Sequence, residues 1–213
     1  AAATAVRCGS SVAGPRRRRG YGCAIWIFRA DERLRLRRHR RAPRFGWNSQ
    51  HPNVRPIPIG LNEDSQRRAM ENALTVEPKI DKLLVNFKRD RPDRAELYER
   101  VKDLPWVQVL HYAKKWESEA ALTTHYEHIS QYRWTLCPRG AGEDTHRLWE
   151  ALYLGSIPVV VRSALSPLYD DLPVIQLDAW SELTIETLYR LEKTLPRDRS
   201  RAYFEHWAAK IRP

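Results

Sequence analysis

The run Cys137-Pro138-Arg139-Gly140-Ala141-Gly142-Glu143-Asp144-Thr145-His146-Arg147-Leu148-Trp149-Glu150-Ala151-Leu152-Tyr153-Leu154-Gly155 lies between two apolar segments. Trp134-Thr135-Leu136 leads into it, and Ile157-Pro158-Val159-Val160-Val161 leaves it. Both flanks read as buried strands, and the stretch from Thr145 reads as a helix. Between strand and helix stand two glycines, an arginine and two acids. This is the composition of an anion-binding turn: glycine lets the backbone approach a ligand, and the unpaired N–H groups of a helix start face it. On a helical projection Leu148, Ala151 and Leu152 share one arc, while His146, Glu150, Glu143 and Arg147 fall on the opposite one. Asp144 is the expected N-cap, with Thr145 as first helical residue. The spacing is neither a G-x-G-x-x-G dinucleotide loop nor a Walker A loop, which needs a lysine after its last glycine.

Working outward, apolar strands alternate with helical patterns. Strands are expected over 82–87, 106–111, 133–137, 157–161 and 174–177. Helices are expected over 65–73, 92–102, 118–129, 182–195 and 199–211, with a short helical turn near 165–169. Continuous apolar strands between helices imply an α/β fold whose parallel sheet is covered on both faces. Ligands in such folds sit beyond the carboxyl ends of the strands. That edge carries residues 137–146, 86–94 and 162–163.

Charge divides the chain. Its net +11 is matched by residues 1–45, where thirteen arginines face only Asp31 and Glu32, so residues 46–213 are neutral. The head holds Arg16-Arg17-Arg18-Arg19 and Arg33-x-Arg35-x-Arg37-Arg38-x-Arg40-Arg41. It reads as an unordered basic head, with a nucleic-acid or anionic-lipid arm or an Arg-rich transit segment as the functional alternatives. No aromatic residues interleave with the arginines as a stacking surface for nucleic acid requires. Its apolar run, residues 23–28, is too short to cross a bilayer. Residues 46–62, with Pro52, Pro56 and Pro58, read as a linker, and 63–213 as the α/β domain. The three cysteines, Cys8, Cys23 and Cys137, form neither a disulfide framework nor a C-x-x-C pair. His125 and His128 read as a surface pair rather than zinc ligands, and no metal set is assigned.

The motif resembles the C-terminal half of the exostosin-like glycosyltransferases, glycosyltransferase family 47. The likeness is greatest to an algal and large-virus branch that reads Ser-Pro-Arg-Gly-x-Gly-x-Asp-x-His-Arg-x-Trp-Glu-Ala-Leu-x-x-Gly-x-Ile-Pro-Ile-Val. Residues 138–161 fit this pattern closely, with Cys137 in place of its serine. Weaker likeness lies in Pro56-Ile57-Pro58-Ile59-Gly60, in Val85-Asn86-Phe87 with Arg94 beyond, and in Leu168-Tyr169-x-x-Leu172-Pro173-Val174. Together these span about residues 46–195.

The resemblance implies the Rossmann-like C-terminal domain of a GT-B glycosyltransferase. Such a domain binds a nucleotide-sugar donor, UDP- or GDP-linked, and the enzyme transfers the sugar to a glycan or glycoprotein acceptor. No cofactor is expected beyond that substrate. The residues themselves suit it. Arg139, Gly140, Gly142 and Arg147 can hold a diphosphate. Glu150 can accept ribose hydroxyls, or merely pair with Arg147 on a surface helix. His146 can touch phosphate or a loop carbonyl. Lys88 and Arg94 can reach the same phosphates or only solvate a loop, and Asn86 can simply end a strand. Trp149 and Tyr153 read as packing. Inverting, metal-independent chemistry is expected, since arginines and a helix start can stabilise the departing diphosphate and no Asp-x-Asp occurs. The catalytic base is unassigned and is expected from an N-terminal partner domain, so the chain is expected to be inactive alone. By resemblance the setting is the Golgi or secretory membrane system, with no signal or anchor visible. The alternatives are a non-catalytic nucleotide-binding fragment and a nucleic-acid module using the basic head.

Overall fold

The computed structural model describes residues 25–28, 54–61, 77–110 and 118–211. Five parallel strands form the central sheet: β3 (Ile80–Val85), β4 (Val107–Val109), β5 (Tyr132–Leu136), β6 (Ile157–Val161) and β7 (Ile175–Leu177), in the order β4-β3-β5-β6-β7. All four pairings are parallel, with Leu83 opposite Val107 and Trp134, and Leu136 opposite Val159. Two further strands, β1 (Ile25–Phe28) and β2 (Val54–Ile57), pair antiparallel. Four residues of the basic head are therefore in a strand, as are four of the linker. The rest of the expected unordered head, and the expected helix over 65–73, lie outside the described residues.

The period of two along each strand sorts the core. Leu83, Val85, Trp134, Leu136, Val159 and Ile175 face helices α1 (Pro92–Val101) and, later in the chain, Leu188 of α4 (Ile185–Glu192). Leu84, Cys137 and Val160 face the other way, against α2 (Glu119–Gln131) and α3 (His146–Tyr153). Helices thus cover both faces, as the apolar runs predict. The last helix, α5 (Phe204–Ile211), follows a 3-10 turn at Ser200–Ala202, so the single helix expected over 199–211 is broken in two. The helix expected over 182–195 is likewise shorter, because Trp180–Glu182 forms its own 3-10 turn and Thr184 caps α4 by accepting from the Thr187 N–H.

The chain order fixes the switch point of the sheet, where a ligand crevice is expected. From β3 it runs through α1 to β4 on one side; from β5 it runs through α3 to β6 on the other. The strand order reverses direction between β3 and β5, whose carboxyl ends lead into residues 86 and 137–138. Ligands in doubly wound sheets occupy this switch point.

Two polar devices lock α3 in place. Arg199 donates to the carbonyls of Leu152 (2.8 Å), Ser156 (3.2 Å) and Gly155 (3.2 Å), closing the carboxyl end of the helix where Gly155 turns with φ 78°. Arg199→Ala should cost about 2 kcal/mol by loss of charge-assisted bonds to partly buried carbonyls. Urea unfolding monitored by tryptophan fluorescence should show it as a lower midpoint with an unchanged slope.

At the other end the expected cap is corrected. Helix α3 starts at His146 with Thr145 as N-cap, and no side chain caps it. Asp144 is only 5% exposed, and its carboxylate accepts from the Ile59 N–H (2.7 Å), the Trp149 indole N–H (2.8 Å) and the Tyr169 hydroxyl (2.9 Å). Three distant donors outbid the local N–H groups. Burial still holds this carboxyl above its ordinary value, although the three bonds oppose that.

Candidate functional site

The crevice is built from the residues that follow β3 and β5. Asn86 is 2% exposed. Its side-chain carbonyl accepts from Nη1 of Arg147, and its backbone carbonyl accepts from Nη2 at 3.1 Å. Arg147 stands in the first turn of α3, so this fork ties the start of the helix to the end of β3. The Nδ2 of Asn86 is buried with no hydrogen-bond partner. A buried amide donor left without an acceptor costs roughly 1–3 kcal/mol, a penalty that a ligand oxygen would relieve.

Arg94, from the first turn of α1, crosses the opening from the other side. Its Nε donates to the Arg139 carbonyl (2.8 Å), Nη2 to the Pro138 carbonyl (3.1 Å) and Nη1 to the Lys88 carbonyl (3.3 Å). One guanidinium therefore sets the shape of both loops. Burial, and next the positive charge of Arg147, hold Arg94 below its ordinary value. Asp90 and Asp93 act on Arg94 in the opposite sense to Arg147, so two guanidiniums and two acids surround the Asn86 amide donor.

The glycine loop is tight. The Gly140 N–H donates to the Gly142 carbonyl at 2.8 Å, and a Cβ at Gly140 would lie 3.2 Å from Nη2 of Arg94. A side chain there would press the Arg94 guanidinium back by a few tenths of an ångström, against its three bonds. Arg139 carries its own charge away from the crevice, with Nε on Asp93 at 3.1 Å and the side chain 61% exposed.

The structure thus brings Asn86, Arg94, Arg139, Gly140, Gly142 and Arg147 into one assembly. The other three expected site residues are placed differently. Lys88 gives its carbonyl to Arg94, but its ammonium is exposed and paired with Asp90 at 3.3 Å. His146 takes the loop-carbonyl alternative, with Nδ1 donating to the Gly60 carbonyl at 2.6 Å. Glu150 is on neither a solvated face nor a surface ion pair. It is 1% exposed, with Oε2 3.5 Å from Nε2 of His125, a residue itself 2% exposed. The neighbouring Tyr126 hydroxyl is held above its ordinary value by burial first, and then by the charge and hydrogen bond of Glu150. The expected polar outer face fails because α2 packs over that side of α3. The surface reading of His125 fails for the same reason.

Cys137 is fully enclosed, and its thiol donates to the Thr135 carbonyl at 3.3 Å. Burial pushes it up to about 12, which leaves an inert thiol. The packing role read for Trp149 agrees with its 0% exposure and its bond to Asp144. Among the described residues no group of three or more His, Cys, Asp or Glu is placed to hold a metal ion.

A pocket of about 350 Å³ has Arg94, Pro138 and Arg139 in its wall. Leu97 and Arg100 of α1 line it, with Pro138, Glu143, Val161 and Trp180. Sequence reasoning set Glu143 on the polar arc with His146, Arg147 and Glu150 but gave it no role. Its one signal is position, as a second acid next to Asp144 inside a glycine loop. The two acids are used differently: Asp144 satisfies three donors, whereas Oε2 of Glu143 is buried without a hydrogen-bond partner.

Strand order and the helices on both faces define a doubly wound, Rossmann-like α/β domain, with Arg94 and Arg147 at the carboxyl edge of its sheet. Residues 93–210, more than half of the chain, match the RXYLT1 C-terminal domain, and the chain belongs to that family. At this level it is a glycosyltransferase-related domain. The match takes in Arg94, the glycine loop, α3 and the pocket, and begins after Asn86 and Lys88. No curated protein matches the chain. No described helix is long and apolar enough to cross a membrane.

Proposed function

We propose that this domain binds the nucleoside diphosphate of a UDP- or GDP-linked sugar and presents that sugar for transfer to a glycan or glycoprotein acceptor. The observation that carries the reading is the buried, unpartnered Nδ2 of Asn86 beside the Arg147 fork at the switch point. A diphosphate would supply acceptor oxygens for the amide and negative charge beside the Arg94 and Arg147 guanidiniums. As the sugar–oxygen bond breaks, the leaving diphosphate gains charge. Arg147, Arg94 and the first N–H groups of α3 would stabilise that charge. Asn86 would hold one oxygen of that group in place.

Inverting, metal-independent transfer, with the base supplied by an N-terminal partner domain, follows from the same reading. Membership of glycosyltransferase family 47, its algal and large-virus branch, and a Golgi setting rest on the motif at 138–161 and belong to this proposal.

Calorimetric titration of the chain with uridine and guanosine diphosphates tests it. One of them should bind, and Asn86→Ala should weaken it about tenfold, the worth of a hydrogen bond to a charged group. Absence of binding by both nucleotides would remove the reading.

A further inference from the structure

We infer that His125 and Glu150 form a proton-adjustable support behind Arg147: when an anion engages that arginine, His125 takes on positive charge to balance the buried carboxylate. The inference rests on the diphosphate reading above. It adds two positioning residues that act through Arg147 without touching the ligand.

The first observation is enclosure. Glu150 and His125 are both buried, with Oε2 of one 3.5 Å from Nε2 of the other. A carboxylate taken out of water has to be balanced by charge and hydrogen bonds. Three groups are placed to do this. The Tyr126 hydroxyl donates to it, and His125 faces it from the same side of α2. Arg147 is the third, three residues earlier on α3. Its charge and that of Glu150 act in opposite senses on the Tyr126 hydroxyl and on the Cys137 thiol. These side chains therefore share one neighbourhood between α2, α3 and the end of β5.

The second observation concerns which of them can change charge. Around the carboxylate, among the described residues, α2 contributes His125 and Tyr126, and α3 contributes Arg147. The end of β5 contributes Cys137, and Arg94 of α1 reaches the same thiol. Burial first holds both the Tyr126 hydroxyl and the Cys137 thiol above their ordinary values, the thiol at about 12, so both stay neutral. Arginines stay charged. His125 is left as the group able to gain or lose a proton near neutrality.

The third observation gives the direction. Arg147 also forks onto Asn86, so one guanidinium serves both the carboxylate's neighbourhood and the ligand edge. An anion bound there adds negative charge and draws on the arginine that balances Glu150. Both changes favour the protonated imidazole. By linkage, protonation of His125 favours the anion by the same factor. Affinity should therefore rise as pH falls through the titration of His125, and the gain should be lost as pH rises through it.

The test uses the full chain and its His125→Gln, Glu150→Gln and Tyr126→Phe variants. Each is titrated calorimetrically with uridine and guanosine diphosphates between about pH 6 and about pH 8. For the nucleotide that binds, acidification should strengthen wild type roughly three- to tenfold more than His125→Gln or Glu150→Gln. The nucleotide's own phosphate titrates in this range but contributes alike to every protein, so the difference in slope isolates His125. Glu150→Gln groups with His125→Gln because a buried imidazole without its carboxylate stays neutral. Tyr126→Phe removes a hydrogen bond but no charge, so it should melt at a lower temperature and keep the wild-type slope. Equal slopes in all the proteins, whatever their stabilities, would overturn this inference and leave the diphosphate reading standing. Wild type alone gives a second reading by proton NMR. The His125 ring signal should titrate at a higher pH with nucleotide bound than without, and an unmoved midpoint in nucleotide-saturated protein would overturn the inference too. Absence of nucleotide binding by wild type would overturn both readings.

Discussion

Arg147→Ala should lose about ten- to hundredfold in affinity for nucleoside diphosphate, equivalent to roughly 1.5–3 kcal/mol for bonds to a charged group. The loss is expected to be the largest of any single substitution in the crevice, because Arg147 does two things. It supplies charge at the start of α3, and its fork fixes the Asn86 amide that offers Nδ2 to the ligand. Arg147→Lys should recover little. A lysine keeps the charge but cannot bond both oxygens of Asn86 in one plane. The expected signature is a steep fall in nucleotide affinity together with a lower unfolding midpoint, since the buried Asn86 acceptors lose their donor, read by titration calorimetry and urea denaturation on the same samples. A large stability loss with unchanged affinity would make Arg147 a structural clamp.

Asp144→Ala should act on stability first. Removing the carboxylate strands three donors at once: the indole N–H of Trp149, the hydroxyl of Tyr169 and the N–H of Ile59. Trp149 and Tyr169 are 0% and 4% exposed, so water cannot readily replace the lost acceptor. At roughly 1–3 kcal/mol for each orphaned buried donor, the cost should be about 3–5 kcal/mol. Asp144→Asn keeps one acceptor oxygen and turns the other into a competing donor, so it should fall between. The loss should also free the segment at 58–61, where Ile59 and Leu61 pack on the core under α3. Amide exchange measured by mass spectrometry should then rise there and at α3 before it rises in β3 and β5. A cost below 1 kcal/mol would show that the network contributes little.

These two residues also show what could be read from the chain before its structure. The strand–helix alternation was legible because buried parallel strands are written as continuous apolar runs, and residues 82–87, 133–137 and 157–161 have little else to become. The glycine loop was legible because Arg139-Gly140-Ala141-Gly142 is a local signal. The partners of Asp144 were not: an acid before a helix looks like a cap, and only the fold brings Trp149, Tyr169 and Ile59 to it. Glu150 illustrates the same limit from another side. A helical projection assumes one buried face, but α3 packs on both the sheet and α2, so its polar arc is enclosed. The signal for that pairing lay on the other helix, where His125 shares the buried side of α2 with Leu122, Tyr126 and Ile129. The crevice itself depends on strand order, and no residue pattern states that β3 and β5 are neighbours.

The central claim, that a diphosphate sits between the ends of β3 and β5, is tested most directly at the Asn86 side chain. In a chain labelled with ¹⁵N at asparagine, the Asn86 amide signal can be assigned by its loss in Asn86→Asp. On titration with uridine or guanosine diphosphate its NH₂ protons should move downfield and saturate along the calorimetric isotherm, as Nδ2 gains a phosphate acceptor. A bound nucleotide that leaves this signal unmoved would contradict the account.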